Sequence, residues 1–147
     1  MKYYITGTKR GLGKALAQKY SCVDTIEECD IFINSKQDRL DQVFMLYKAA
    51  ELGKRIINIS SNSADDSKSS HPMYAVYKSA LDDLNSRLYY KGISTTSIRF
   101  GYFDSERVKH INKPKMSLEY CVKVIDWVLT QPYIIKELTI TPEVKNE

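Results

Sequence analysis

The chain of 147 residues is long enough for one domain with a sizeable core and too short for two, so we expect residues 1–147 to form a single domain. Its 43% hydrophobic and 27% charged residues are typical of a globular protein, and neither a signal peptide nor a membrane span is recognisable. The net charge of +4, without a nucleic-acid motif, argues against binding to DNA or RNA. Cys22, Cys29 and Cys121 lack metal-ligand spacing, so we expect no metal and a reducing, cytoplasmic location.

Hydrophobic periodicity predicts alternating strands and helices along the chain. Strands are predicted at 2–6, 30–34, 55–60, 95–100 and 138–141. Helices are predicted at 10–20, 37–52, 72–90 and 118–129. Segment 63–70 is predicted to be a loop, and segment 21–29 is either a short edge strand or a loop. This alternation favours an α/β fold with a mainly parallel sheet covered on both faces.

The two central helices each carry an apolar stripe. In helix 37–52 the stripe consists of Leu40, Val43, Phe44, Tyr47 and Ala50. In helix 72–90 it consists of Met73, Tyr77, Ala80, Leu81, Leu84 and Leu88. Pro72 suits a first helical position with Ser70 or His71 as the cap, and Gly53 and Gly92 suit the two helix ends.

A glycine motif, TGTKRGLG from Thr6 to Gly13, follows the first predicted strand and opens the first predicted helix. Its glycines permit a tight turn, and the helix N-terminus offers unpaired N–H groups to a phosphate. The candidate residues for a dinucleotide pyrophosphate are Gly7, Lys9, Arg10, Gly11, Leu12 and Gly13. The alternative is a glycine-rich turn without a ligand.

A serine, a tyrosine and a lysine form the candidate catalytic set. Tyr74 and Lys78 are four residues apart, so they share one face of the predicted helix. An ammonium there can lower the pKa of the phenol, which makes it a usable acid–base group. Ser61, from the end of a strand, can hold a substrate oxygen against that phenol. The alternative is that Tyr74 belongs to the core and Lys78 is solvated.

Together these motifs resemble the short-chain dehydrogenase/reductase family, whose glycine motif is Thr-Gly-x-x-x-Gly-x-Gly. Thr6 and the glycines match that motif, and Ser61, Tyr74 and Lys78 match the family's catalytic residues at the usual spacing. Asn34 resembles the first residue of the family's Asn-Asn-Ala-Gly motif, which implies that it is structural or helps to bind the cofactor. Gly101 corresponds to the glycine of a Pro-Gly turn, and Ser105 to a hydroxyl that touches the nicotinamide end of the cofactor.

The resemblance implies a Rossmann-like, doubly wound sheet and reversible hydride transfer between NADP(H) and a small carbonyl or secondary alcohol. Tyr74 would be the general acid and base, Lys78 would bind the nicotinamide ribose, and Ser61 would polarise the substrate oxygen. Lys9 and Arg10 in the glycine loop favour NADP, with NAD possible; the alternative is that they are a solvated basic pair. The family pairs its subunits through the helices corresponding to 37–52 and 72–90, which implies a homodimer or homotetramer.

The chain also departs from the family. Only 20 residues, 14–33, separate Gly13 from Asn34, so the strand–helix units that hold adenosine after the first βα unit are lost. No residue is a convincing ribose ligand, and Arg39 stands where the family's helix asparagine would be sought. The alternative function is therefore a catalytically silent remnant that binds a nucleotide or a partner.

A basic segment follows the fourth predicted strand. It contains Arg107, Lys109, His110, Lys113 and Lys115, in the place where the family has its substrate lid. Such a segment could receive an anionic substrate. A solvated loop is the simpler interpretation, since runs of charge usually face water.

Overall fold

The structure is a computed structural model that describes residues 1–65 and 71–142, with the backbone alone at residues 64 and 65. Its strands are β1 (Tyr3–Ile5), β2 (Ile31–Asn34), β3 (Arg55–Ser61), β4 (Thr95–Phe100) and β5 (Glu137–Ile140). Its α-helices are α1 (Gly11–Lys19), α2 (Asp41–Glu51), α3 (Pro72–Tyr90) and α4 (Leu118–Thr130). Short 3-10 turns occur at Ile26–Glu28, Asn62–Asp65 and Glu106–Val108.

The five strands form one sheet in the order β1-β2-β3-β4-β5, and every neighbouring pair is parallel. Helices α1 and α4 pack together on one face, whereas α2 and α3 pack together on the other. The predicted Rossmann-like α/β fold is thereby confirmed. Because all strands are parallel, their carboxyl ends lie along one edge of the sheet, where α/β proteins bind ligands.

The segment between α1 and β2 passes around the free edge of β1. Cys22 forms a single parallel bridge with Tyr3, whose N–H donates to the Ser21 carbonyl at 2.9 Å. The chain then makes the turn at Ile26–Glu28, where Ile26 packs in the cluster beneath α2 and α3. Segment 21–29 therefore has features of both predicted alternatives. One residue, Cys22, pairs with the edge of β1, and the rest of the segment is a loop and a turn.

The two faces of the sheet differ in what they bury. The face under α1 and α4 holds an apolar cluster that includes Leu12, Leu16, Ile33, Ile57, Ile98, Cys121, Ile125 and Val128. The face under α2 and α3 holds a second apolar cluster, built around Phe32, Leu46, Ile56 and Leu81. Beside this second cluster lie buried polar side chains, namely Asn34, Gln42, Asn58, Lys78, Asn85 and Thr95.

Helix α2 begins later and faces differently from the prediction. It starts at Asp41 rather than at residue 37, because Arg39 has a left-handed φ of 50° and the Asp41 N–H closes a turn onto the Asp38 carbonyl. Phe44 and Tyr47, in the predicted apolar stripe, are 68% and 54% exposed. The buried side of α2 instead carries Gln42, Leu46, Ala49 and Ala50.

Helix α3 has the predicted bounds, with Pro72 in its first turn, but its buried side differs from the predicted stripe. Met73 is 57% exposed, whereas Lys78 and Asn85 are buried together with Leu81 and Leu88. The predicted loop at 63–70 contains the end of a 3-10 turn, and its residues 66–70, including the candidate cap Ser70, lie outside the described residues.

Three further observations limit the kinds of site available. None of the described helices combines the length and hydrophobicity that crossing a bilayer requires. Within 1–65 and 71–142, no group of three or more histidine, cysteine or acidic side chains is placed to hold a metal ion. All three cysteines are free thiols, two of them buried.

Candidate functional site

The sequence-predicted site residues follow the carboxyl ends of four neighbouring strands. Gly7 comes after β1, Asn34 ends β2, Ser61 ends β3 and Gly101 comes directly after β4. The parallel register places Asn34 beside Asn58 and Ser61 beside Phe100, so these strand ends meet at one edge of the sheet. The fold therefore brings the glycine loop and the candidate catalytic residues to a common edge.

The glycine loop is a tight connection between β1 and α1. Gly7 and Gly11 have left-handed φ values of 70° and 61°, which favour glycine. A Cβ on Gly13 would lie 2.0 Å from the Gly7 carbonyl oxygen, so only glycine fits there. The Leu12 side chain is buried in the core, which leaves its backbone N–H for a ligand, while Lys9 and Arg10 are exposed.

Thr6 ties the glycine loop to the segment that follows β2. Its hydroxyl oxygen accepts hydrogen bonds from the backbone N–H groups of Ser35 at 3.0 Å and Lys36 at 3.1 Å. A Cβ on Gly7 would lie only 3.2 Å from the Lys36 Cα, so the two segments are in close contact. The glycine at position 7 thus serves this close approach as well as the turn.

A cavity of about 530 Å³ opens beside the glycine loop. It is lined by Tyr4, Ile5, Thr6, Gly7, Asn34, Lys36, Asp41, Phe44 and Met45. The lining brings one ammonium and one carboxylate next to aromatic and apolar groups. Sequence reasoning found neither Lys36 nor Asp41. Asp41 lies within the predicted helix 37–52, and only the late start of α2 places it at the helix N-terminus.

Ser61 and Tyr74 are joined at the carboxyl end of β3. The Ser61 and Tyr74 side chains lie as hydrogen-bonding partners, and this contact acts to lower the pKa of Tyr74. The Ser61 hydroxyl also lies 2.7 Å from the Ser63 hydroxyl and accepts a hydrogen bond from the Ser63 N–H at 3.1 Å. Ser63, which sequence reasoning missed, therefore fixes the orientation of Ser61.

Lys78 is buried beneath Tyr74, with 3% of its surface exposed. Its ammonium lies 5.5 Å from the centroid of the Tyr74 ring. The ammonium donates hydrogen bonds to Gln42 Oε1 at 2.8 Å and to the Ile59 carbonyl at 2.9 Å. Because an ammonium has three N–H groups and the described side chains and backbone provide two acceptors, one N–H is left for a further acceptor.

Burial lowers the pKa of Lys78 to about 7, an effect that the positive charge of Arg107 increases and the negative charge of Asp82 opposes. Burial also raises the pKa of Tyr74, while the Arg107 charge and the Ser61 hydrogen bond act in the opposite direction. Arg107 is thus a cation near Tyr74 that sequence reasoning did not connect with its pKa, while the effect predicted for Lys78 stays a prediction. The Arg107 guanidinium stacks over the same ring, 5.6 Å from its centroid.

Gln42 joins Lys78 to Asn34 and to the sheet. Its side-chain amide donates to the Asn34 carbonyl at 2.8 Å and to the Ile59 carbonyl at 3.1 Å. The Asn34 side chain in turn donates to the Gln42 carbonyl at 2.8 Å and to Asn58 Oδ1 at 3.0 Å. Asn34 is therefore 1% exposed and part of a buried network, and Gln42, which sequence reasoning missed, holds the network to Lys78.

The network continues away from the site. The Asn58 side chain donates to Asn85 Oδ1 at 3.1 Å, and the Asn85 amide donates to the Lys136 carbonyl at 2.9 Å. The Thr95 hydroxyl also donates to Asn85 Oδ1, at 2.7 Å. Buried amides without partners would be costly, so this chain of hydrogen bonds fixes the positions of α2 and α3 against the sheet.

The two remaining candidates lie after β4. Gly101 donates its N–H to the Ile140 carbonyl at 2.8 Å, and a Cβ there would lie 2.9 Å from Pro142 Cδ. Gly101 therefore closely contacts the end of β5. Ser105 is half-buried and directly precedes the turn Glu106–Val108, which carries Arg107.

The comparison with known proteins identifies relatives by structure. No family model and no curated protein matches the sequence. A short-chain dehydrogenase from Burkholderia cenocepacia J2315, solved in complex with NADP, has a TM-score of 0.74 and 16% identity, with 94% of this chain and 86% of that chain covered.

Two further similar structures are a 4-hydroxyisoleucine dehydrogenase mutant, complexed with NADH and succinate, and a serine dehydrogenase in its closed form, complexed with NADP+. The first has a TM-score of 0.76 and 15% identity, with 96% of each chain covered. The second has a TM-score of 0.76 and 14% identity, with 95% of this chain and 94% of that chain covered. At such low identity these similarities establish the Rossmann-like fold that short-chain dehydrogenases share.

Proposed function

We propose that this protein is an oxidoreductase of the short-chain dehydrogenase/reductase type, which transfers hydride reversibly between NADP(H) and a small carbonyl or secondary alcohol. The observation that carries the proposal is the grouping of Ser61, Tyr74 and Lys78 at the carboxyl ends of the strands, at the same edge as the glycine loop. The similar structures, solved with NADP, NADH and NADP+, support the choice of cofactor.

The residues present fit a nicotinamide dinucleotide. The backbone of Gly7 to Gly13 and the N-terminus of α1 would hold its pyrophosphate, since the tight turn leaves the N–H groups of the first helical turn unpaired. The remaining N–H of Lys78 would bind the hydroxyls of the nicotinamide ribose. The cavity beside Gly7 would take the adenosine half, with Phe44 and Tyr4 against the base.

In the direction of reduction, a dinucleotide held by these residues would supply the hydride that the carbonyl carbon gains. Tyr74 would donate its phenolic proton to the carbonyl oxygen, and Ser61 would hold that oxygen with a hydrogen bond. Because burial raises the pKa of Tyr74, the phenol stays protonated at neutral pH and is suited to donate. Alcohol oxidation needs the phenolate, so its rate should rise with pH.

Cofactor preference would depend on charges around the adenosine ribose. The exposed Lys9 and Arg10 favour the 2′-phosphate of NADP, and Lys36 in the cavity adds a third positive charge. Asp41 in the same cavity would repel that phosphate and could accept a hydrogen bond from the 2′-hydroxyl of NAD. We therefore propose NADP as the preferred cofactor with NAD as a weaker one, and Asp41→Asn should increase the preference for NADPH.

The exposed apolar residues of α2 and α3 favour a homodimer or homotetramer. Phe44 and Tyr47 on α2, together with Met73 and Val76 on α3, are all more than half exposed, at 68%, 54%, 57% and 54%. Exposed apolar groups on two neighbouring helices are typical of subunit contacts. Light scattering should therefore show an assembly that Tyr47→Glu, a substitution outside the cavity lining, dissociates. The free cysteines are consistent with the reducing cytoplasm, where we place the protein.

A second candidate is a protein that binds the dinucleotide without catalysis. Two observations favour it. The hydrogen bonds of Lys78 direct its ammonium toward Gln42 and Ile59. The pKa of Tyr74 is raised, and both observations disfavour the Tyr74 phenolate. Under this candidate, NADPH binds but no carbonyl is reduced.

Turnover of NADPH with a panel of small ketones and aldehydes tests the proposed reaction. The catalytic role predicts that Tyr74→Phe lowers kcat by about 100-fold or more. Tyr90→Phe, at the exposed far end of the same helix, is the matched control and should retain full activity. Equal activity in Tyr74→Phe and wild type would contradict the mechanism, and binding of NADPH without turnover in the wild type would support the second candidate.

A further inference from the structure

The segment between β4 and α4 projects as a loop over the candidate catalytic residues. Its base is closed by pairing of Phe103 with Met116, where the Asp104 N–H donates to the Met116 carbonyl at 2.8 Å and the Met116 N–H donates to the Tyr102 carbonyl at 2.9 Å. Residues 104–116 between these contacts contain four lysines and arginines and two acidic residues, a net charge of +2. We call these residues the 104–116 loop.

Within this loop, Arg107 is the basic residue that contacts Tyr74. Lys115 donates to the Ile111 carbonyl within the loop, and Lys113 lies over the ring of Tyr102. Arg107, in contrast, places its guanidinium 5.6 Å from the centroid of the Tyr74 ring. Its charge also reaches Lys78, whose pKa it lowers.

Arg107 has no carboxylate at ion-pair distance among residues 1–65 and 71–142, whereas the buried Lys78 ammonium on the other side of Tyr74 donates to Gln42 and Ile59. An exposed guanidinium retains its five N–H donors in a planar fork, which matches the two oxygens of a carboxylate. A molecule whose carbonyl oxygen lies between Ser61 and Tyr74 would thus meet a second, anion-binding group at Arg107.

We propose that the substrate is a short oxo acid, whose carboxylate is bound by Arg107 while its carbonyl oxygen is held by Ser61 and Tyr74. This inference rests on the proposed function. In the forward reaction the carbonyl carbon gains a hydride from the reduced dinucleotide and its oxygen gains the Tyr74 proton. The oxo acid becomes a hydroxy acid, the dinucleotide is oxidised, and the carboxylate takes no part in the bond changes.

The test compares a carboxylate substrate with a neutral twin. Acetoacetate and methyl acetoacetate share the same ketone, and only the first carries a carboxylate. NADPH-dependent reduction of both is measured with wild type, Arg107→Met and Lys109→Gln, the last being an exposed basic residue of the same loop. We expect Arg107→Met to raise the KM for acetoacetate by about 10- to 100-fold and to leave the KM for the ester within about 2-fold. Lys109→Gln should change neither.

A binding experiment separates this proposal from the proposed reaction. Titration calorimetry with malonate, a dicarboxylate that cannot be reduced, is run on the same three proteins in the presence of NADP+ and in its absence. Weaker malonate binding in Arg107→Met alone supports the anion site even if no ketone is reduced. Two results would overturn the proposal whether or not NADPH is a cofactor. One is equal binding of malonate to wild type and Arg107→Met. The other is a preference for acetoacetate over its ester that is the same in Arg107→Met as in wild type.

Discussion

The two faces of the sheet bury different kinds of side chain. Under α1 and α4 the buried side chains are mostly apolar, with Leu16 and Ile125 fully inaccessible to solvent. Under α2 and α3, a lysine and several amides are buried beside an apolar cluster, and hydrogen bonds connect Lys78 through Gln42 and Asn34 to Asn58. Burying such groups contributes less to stability than burying hydrocarbon, so the second face bears a cost that a purely structural layer would avoid.

The difference indicates a division of labour. The apolar face supplies stability, while the polar face holds Lys78 and the end of β3 in a fixed geometry beneath Tyr74. Substitutions on the first face should therefore reduce the free energy of unfolding with little effect on the site. Substitutions on the second face should also reduce the free energy of unfolding, and their effect on the site should become smaller with increasing distance from Lys78.

The largest loss of stability is expected on the apolar face. Replacing Leu16 or Ile125 by alanine removes a fully buried side chain and leaves a cavity, which should lower the free energy of unfolding by about 2–5 kcal/mol. Urea denaturation measures this loss. Under conditions where the variant remains folded, its affinity for NADPH should equal that of wild type. A large loss of affinity in the folded variant would contradict the division of labour.

An intermediate effect is expected at Gln42. Gln42→Leu removes an acceptor from Lys78 and the donors to the Asn34 and Ile59 carbonyls, so it should cost about 1–3 kcal/mol of stability. Because Lys78 loses its fixed position, turnover should fall as well. Asn85→Leu is the matched control, since it breaks the same network far from Lys78. It should lower stability by a similar amount and leave turnover unchanged.

The pH dependence of stability should report the buried Lys78. Its pKa falls from 10.5 to about 7 on folding, so between these values the unfolded chain binds the proton and the folded protein does not. Stability therefore rises with pH across this window, by up to about 1.4 kcal/mol per pH unit. Urea denaturation at several pH values should show this slope in wild type, and Lys78→Met should reduce it. An unchanged slope in Lys78→Met would assign the dependence to another group.

The smallest effect is expected at the start of α4, on the apolar face. The Ser117 hydroxyl caps this helix by accepting the Tyr120 N–H at 3.1 Å. Ser117→Ala should lower the free energy of unfolding by about 1 kcal/mol. Turnover per folded molecule should not change, and a change would mean that α4 affects the site more directly than the two-face comparison allows.

The sequence predicted the fold well because strand and helix periodicities and the glycine motif are local signals. It failed where burial depends on partners distant in sequence. Phe44 and Tyr47 form an obvious apolar stripe, yet α2 turns Gln42 inward, since that amide has acceptors on both β2 and β3. Nothing within a helical window of the sequence indicates such acceptors.

The candidate site shows the same limit. The spacing of Ser61, Tyr74 and Lys78 led to the correct neighbours, because a strand end and one helix face fix them locally. The positions of Gln42 and Arg107 depend on how α2 and the 104–116 loop pack over α3, and no short-range pattern specifies that packing. The hydrogen bonds from the Lys78 ammonium to Gln42 and Ile59 were not predicted for the same reason.

The most direct test of the central claim is a titration of the protein with NADPH, followed by nicotinamide fluorescence. Wild type is compared with Lys78→Met and with Lys123→Met, whose lysine lies exposed on α4. We expect saturable binding in wild type, weaker binding in Lys78→Met and unchanged binding in Lys123→Met. Absence of saturation at millimolar NADPH, or equal affinity in all three proteins, would contradict it.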